Sequence, residues 1–298
     1  MIDLAKLTTE QRNPNSMNLD QMTPLEIAET MNSEDMKVIE AIKEVLPQIS
    51  KAIELATNSL KNGGRIIYLG AGTSGRLGVL DAAECPPTFG VSPDLVVGLI
   101  AGGEGAFIKA VEGAEDSTTL CAEELKGINL DKKDIVIGLA ASGRTPYVVH
   151  GLKYANSIGC ETVAIACTRN SEIGKEAKLQ IEPVTGPEVL TGSTRLKAGT
   201  AQKLILNMIS TGSMVGIGKV YQNLMVDVQQ TNEKLKVRAQ NITMASTGCS
   251  REEAEKKLAE AKGEVKTAII MILLNLDYQA AKERLQESEG KIRTAIEK

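Results

Sequence analysis

Residues 65–76 read RIIYLGAGTSGR, and this stretch decides the fold. A run of five residues with a buried-strand character (RIIYL, 65–69) meets Gly70 and passes through a Gly/Ser/Thr loop into a helical pattern over 75–85. The same texture recurs outward from it. LVVGLI (95–100) ends in Ala-Gly-Gly, DIVIGL (134–139) ends in a second Ser/Gly/Thr loop, and TVAIA (162–166) follows. QIEPV (180–184) is a fifth candidate, at an edge because Pro183 has no N–H to give a central ladder. Helical patterns at 75–85, 107–126 and 146–158 lie between these runs. Strands alternating with helices at this spacing predict βαβ units and a parallel sheet covered on both faces. Ligands of such sheets sit beyond the carboxyl ends of the strands, in the loops that follow them.

On either side the chain reads as helix. Residues 23–62 are helical, with a capping-box pattern at Thr23 and Glu26 and a second cap expected at Ser33 to Met36. Residues 197–216 are apolar enough to be buried. Segments 250–262, 263–275 and 278–288 read as a three-helix unit, capped at Ser250 and Asp277. The expected organisation is an N-terminal polar segment with helices (1–45), a central α/β domain (46–235) and a C-terminal helical unit (240–298).

Composition narrows the function. Of 298 residues, 42 % are hydrophobic and 24 % charged, with net charge −4 and the signs interspersed, so the basic stripe of a nucleic-acid binder is missing. The longest apolar stretch, 268–274, falls far short of the ~20 residues needed to span a bilayer. The opening MIDLAKLTTEQRNPNS lacks a signal peptide's apolar core, and five scattered cysteines form no CxxC pair; both point to a cytoplasmic protein with free thiols. A single histidine, His150, leaves a triad or a His-cluster metal site poorly supplied, and it is expected to be structural. With no Trp and only two Phe, a sugar is better held by a charge than by stacking.

Three loops carry the candidate chemistry. The first, 70–76, matches GxGxxG, yet the acidic residue a dinucleotide site needs after the second strand is absent: Glu104 comes too late. Gly72, Thr73 and Ser74 suit a phosphate cradle, and a tight ligand-free turn is the plain alternative. The second loop supplies Ser142, Gly143, Arg144 and Thr145 at a helix start, where N–H groups and the dipole favour an anion. The third supplies Ser193, Thr194 and Lys197. Together they predict a small phosphorylated ligand. Two carboxylate clusters lie nearby in sequence. Glu84 stands in DAAECPP, where the double proline is expected to stop the helix sharply; Glu112 and Glu115 stand in VEGAED, with nothing local to choose between them.

Longer motifs carry a resemblance. GAGTSGRLGVLDAAECPPTFGV (70–91), LIAGGEGAFIKAVEGAEDS (99–117), AASGRTPYV (140–148), TGSTRLKAGTAQKLILNM (191–208), NLMVDVQQTNEKL (223–235) and TEQRNPNS (9–16) resemble the N-acetylmuramic acid 6-phosphate etherase family, across essentially the whole chain. The resemblance implies an SIS (sugar isomerase) fold, with a five-stranded parallel sheet between helices, and a cytoplasmic homodimer. It also implies cleavage of the C3 lactyl ether to give N-acetylglucosamine 6-phosphate and D-lactate. It places the catalytic glutamates at Glu84 and Glu115. Elimination across C2 and C3 followed by rehydration needs an acid and a base, and no metal, nicotinamide or covalent nucleophile. Two carboxylates divide those roles if burial raises one pKa. Arg76 then either meets the phosphate or the lactyl carboxylate, or makes a surface salt bridge. A phosphosugar isomerase and a non-catalytic sugar-phosphate sensor of the same fold are the rival readings.

Overall fold

Buried runs of Ile, Val and Leu pair into a parallel sheet in a computed structural model that describes residues 8–228, 230 and 232–297. The chain forms two compact units. One runs through Ala83 and over Asp94–Ser210, and the other comprises Glu84–Pro93 and the chain from Thr211 onward.

The first unit opens with short 3-10 turns and then α1 (Pro24–Lys43). Thr23 Oγ1 accepts from Glu26 N while the Glu26 carboxylate accepts from Thr23 N, the expected capping box. The second cap expected at Ser33 to Met36 does not form. These residues lie inside α1, whose apolar period continues through buried Val38, Ala41 and Ile42. The helix breaks at Glu44 and Val45 instead, ahead of α2 (Leu46–Lys61), because Pro47 is tolerated only in a first turn.

Then follow β1 (Ile66–Gly70), α3 (Gly72–Phe89), β2 (Val96–Ile100), α4 (Leu120–Gly127), β3 (Ile135–Leu139), α5 (Pro146–Ile158), β4 (Glu161–Ile165), α6 (Glu172–Glu176), β5 (Leu179–Ile181) and α7 (Lys197–Gly216). The five strands run parallel in the order β2-β1-β3-β4-β5, with Gly70 level with Ile100 and with Leu139. Every residue of β1 and β3 is buried. Ile67 and Leu69 share a core with Cys121 and Leu125 of α4 and with Val148 and Leu152 of α5. On the other face a Cβ on Gly78 of α3 would sit 2.8 Å from Tyr68 Cβ. Helices therefore cover both faces. β5, three residues long and followed by Glu182 and Pro183, is an edge, as Pro183 implied.

Two expectations fail locally. α3 does not stop at Cys85; Pro86 and Pro87 lie inside it and the helix runs to Phe89, with Gly90 N bonded to Pro86 O. Proline's fixed φ is helical, and the missing N–H groups cost α3 only two bonds near its end. The helix expected over 107–126 shrinks to α4. Gly102, Gly103 and Gly113 take positive φ and leave 3-10 turns at Glu104–Phe107 and Ala114–Asp116.

In the second unit a hairpin of β6 (Val220–Tyr221) and β7 (Leu224–Met225) precedes α8 (Glu233–Thr247), α9 (Arg251–Glu260), α10 (Val265–Leu274), α11 (Tyr278–Glu287) and α12 (Ile292–Glu297). Ser250 and Asp277 cap α9 and α11 as expected. α10 is the centre of a core that also takes Ile242 of α8 and Ile292 and Ala295 of α12, so five helices rather than three build it. The two-residue strands are too short to show alternation in sequence. Among the described residues, no helix is long and apolar enough to cross a membrane.

Candidate active site

The chain runs from β1 out to β2 and back across to β3, so the strand order reverses between β1 and β3. At such a switch point the following loops diverge and leave a crevice at the carboxyl end of the sheet. The loops in question are 70–76 and 140–146, the two sequence-predicted phosphate loops.

The glycines of the first loop do two different jobs. A Cβ on Gly75 would lie 2.6 Å from Gly70 O and 2.7 Å from Ile100, so Gly75 lets α3 sit directly on the sheet. Gly72, at φ +52, has open space around it and begins α3. The first N–H groups of α3 have no partner one turn back, which makes its start an anion-seeking surface. Thr73 lies beside Gly199 of α7, its methyl carbon 3.4 Å from where a Cβ would stand. Ser74 is buried, and its hydroxyl donates to Gln202 Oε1 at 2.9 Å. That hydroxyl ties α3 to α7 instead of lying open to a ligand.

A pocket of about 190 Å³ opens beside this loop, lined by Ala71, Gly72, Arg76, Ala101, Glu112 and Glu115 among others. The first glycine loop and the VEGAED cluster thus share one cavity, which sequence spacing alone did not reveal. Both Glu112 and Glu115 reach it, so the cavity does not choose between them. Among the described residues Arg76 pairs with no carboxylate. Its Nε donates to Phe107 O at 2.7 Å and its Nη2 to Ala106 O at 2.9 Å, pinning the loop that leads from β2 toward Glu115.

In the second loop Gly143 is required twice: its φ is +73, and a Cβ there would lie 2.4 Å from Ser171 Cβ. Thr145 stands at the N-cap of α5 yet its side chain makes no capping bond, and Pro146 opens the helix. Arg144 turns to α6, its Nε donating to Glu172 Oε1 at 3.1 Å. Ser142 and Thr145 are half-buried at the loop's surface. In the third loop Ser193 and Thr194 are half-buried too, and Thr194 O accepts from Gly199 N.

Lys197, expected at the sugar, is buried instead: its side chain is 1 % exposed and its Nζ lies 2.7 Å from Glu34 Oε2. Glu34 also accepts from Asn13, Asn15 and Lys37. Burial pushes the Glu34 proton affinity up, but these hydrogen bonds outweigh it and hold the carboxyl well below the usual carboxylate range. Glu188 accepts from Lys197 N and Ala198 N at 2.9 Å each and so caps α7; burial raises its pKa. Neither glutamate could be found from the sequence, because their partners lie far along the chain or in the backbone.

Glu84 and Glu115 are both exposed, so neither has the burial expected to separate an acid from a base. Glu84 sits in the last two turns of α3 and Glu115 in the 3-10 turn Ala114–Asp116. His150 is half-buried in α5. None of the five cysteines forms a disulfide, and burial pushes the Cys121 and Cys167 thiols up to about 12 and Cys160 to about 11, leaving these three inert as nucleophiles at neutral pH.

Comparison with known proteins agrees with this architecture. Residues 48–156 match the model of the glucokinase regulatory protein N-terminal SIS domain, and residues 122–211 match the SIS domain. Among solved structures, the fold is similar to a phosphoheptose isomerase from Francisella tularensis (TM-score 0.50, 16 % identity, covering 65 % of this chain and all of that one, 100 %). It is equally similar to one from Neisseria gonorrhoeae (TM-score 0.50, 19 % identity, 64 % and 98 % covered). Much nearer in sequence is the N-acetylmuramic acid 6-phosphate etherase of Pectobacterium atrosepticum, 59 % identical over 281 residues that cover 94 % of this chain and 93 % of the relative. That of an Exiguobacterium species is 60 % identical over 278 residues, covering 93 % and 95 %. With identity of this extent along nearly the whole length, on a five-stranded SIS sheet, the chain belongs to the N-acetylmuramic acid 6-phosphate etherase family.

Proposed function

We propose that the protein is an N-acetylmuramic acid 6-phosphate etherase, a carbon–oxygen lyase that releases D-lactate and leaves N-acetylglucosamine 6-phosphate. An alkyl ether resists direct hydrolysis. Ring opening exposes an aldehyde at C1 that acidifies the C2 hydrogen. A base takes that proton, an acid protonates the departing lactate oxygen at C3, and water adds back at C3.

We assign the acid to Glu84 and the base to Glu115, each contributing on the order of 10²–10⁴ in rate. The observation that carries the reading is the cavity in which Glu115 meets the glycine loop that opens α3. A phosphate at the helix start leaves a carboxylate within the same pocket to work on the sugar. Gly72, Thr73, Ser142, Gly143, Thr145, Ser193 and Thr194 are the proposed substrate-binding residues. Arg76 acts through the loop it pins, and Arg144 through α6. The protein works as a cytoplasmic homodimer; Leu25, Met36 and Ile39, exposed along one face of α1, support the self-association.

The test is incubation with N-acetylmuramic acid 6-phosphate, with D-lactate and the C3 oxygen as readouts. In heavy-oxygen water the new hydroxyl must carry solvent oxygen; retention of the original oxygen excludes elimination and rehydration. Ketose formation without lactate would identify an isomerase instead.

A further inference from the structure

A cavity in the helical unit has no part in the chemistry above. It encloses about 860 Å³ and shares no lining residue with the pocket around Glu115. Four lysines converge on it, Lys219, Lys262, Lys266 and Lys282, against two acids, Asp227 and Glu264. The lining thus carries two positive charges in excess.

The pairing is uneven. Lys219 and Lys266 both reach the same oxygen, Asp227 Oδ2, at 3.1 and 2.7 Å. One carboxylate therefore answers two ammonium groups whose side chains are only 23 % and 12 % exposed. Burial and the charge of Lys219 both lower the Lys266 pKa, and Asp227 only partly offsets them. Partly desolvated positive charge without a full counter-charge is costly and is relieved by an anion. Lys282 is held by Glu264 at 2.9 Å, and Lys262 lies over the Tyr278 ring at 4.6 Å from its centre.

The backbone adds to this. Glu264 is the N-cap of α10, but its side chain makes no capping bond; it accepts instead from Thr267 Oγ1 and Lys282. Val265, Lys266 and Thr267, the first residues of α10, all line the cavity. Their N–H groups have no partner within the helix and carry its positive dipole end. Lys266 contributes both its side chain and its helix-start amide to the same space. A cavity of this size lies in the range for metabolite sites.

The geometry points to a second ligand site in the helical unit, one that takes a small phosphate monoester or the phosphate dianion itself. A dianion matches the charge excess of the lining, and the α10 start supplies the amide donors that tetrahedral oxyanions use. The site is independent of the etherase reading, since it rests on none of the residues assigned to that reaction.

Its test is residue-resolved. Lysine acetylation of the full-length protein, followed by mass spectrometry, is run with millimolar inorganic phosphate, with glucose 6-phosphate, with glucose, and with sodium chloride at matched ionic strength. Phosphate and glucose 6-phosphate are expected to protect Lys219, Lys262 and Lys266, while exposed Lys203 reacts at the same rate throughout. Protection by glucose 6-phosphate alone assigns the site to the monoester, and protection by both assigns it to the phosphate group. Absence of protection, or equal protection by chloride or glucose, overturns the proposal. Lys266→Met leaves Lys219 to balance Asp227 and is expected to weaken protection of Lys219 about tenfold in phosphate concentration, ~1.4 kcal/mol. Should that variant misfold, Lys262→Gln, on an exposed side chain, serves the same purpose; unchanged protection in a folded variant of Lys266 refutes the site.

Discussion

Glu34 shows how much can hang on one side chain. It binds the ammonium of Lys197 in the interior and takes the amides of Asn13 and Asn15, so the N-terminal turns and the start of α7 share one anchor. Glu34→Gln strands the Lys197 charge and is expected to cost about 3–5 kcal/mol, read as a lower denaturant midpoint at unchanged slope. The double variant Glu34→Met with Lys197→Met should recover most of that loss, because it removes both charges. The pair also sets a pH dependence. The folded carboxyl is held below its ordinary 4.5, so its contribution is complete above that value and drains as the pH falls beneath it. Acid titration of stability should therefore be shallower in the double variant than in the wild type. At the proposed catalytic centre, Glu84→Gln is expected to abolish D-lactate release while C2–H exchange with deuterated solvent persists; wild-type lactate release would remove Glu84 from the acid role. The proposal of Glu84 and Glu115 as the pair rests on long motifs and not on local chemistry, since an exposed glutamate has no distinguishing pattern of its own.

At the scale of elements, α3 carries the most constraint. It begins at the candidate phosphate loop and rests on β1 and β2 through Gly75 and Gly78. Gly75→Ala pushes a methyl against Gly70 O and Ile100 and is expected to destabilise by ~1–3 kcal/mol, measured by thermal unfolding, with a rise in substrate KM as the loop shifts. The strands were legible because five apolar runs of the right length are bounded by glycine loops, and each lies within a residue or two of its place, with β5 ending earlier at Ile181. The misses share a cause. A helix pattern over 107–126 passes over Gly113 at positive φ, and a double proline reads as a stop although proline's own φ suits a helix. Arg76 was expected at a charge and instead holds two carbonyls; a guanidinium's backbone partners leave no trace in sequence.

For the whole molecule, the exposed apolar face of α1 bears on assembly. On the proposed homodimer, Ile39→Asp is expected to shift the sedimenting species toward monomer, with lactate release falling alongside. The order β2-β1-β3-β4-β5 has a further meaning for survival in a crowded cell. A parallel sheet ends in two edges, each an invitation to a foreign strand. β5 offers only Leu179–Ile181 before Glu182 places a charge and Pro183 withholds an N–H. The ladder is broken off just where another chain would extend it. The three-residue stub thus guards the protein against templated aggregation, a protection that Pro183→Val would weaken without touching the chemistry.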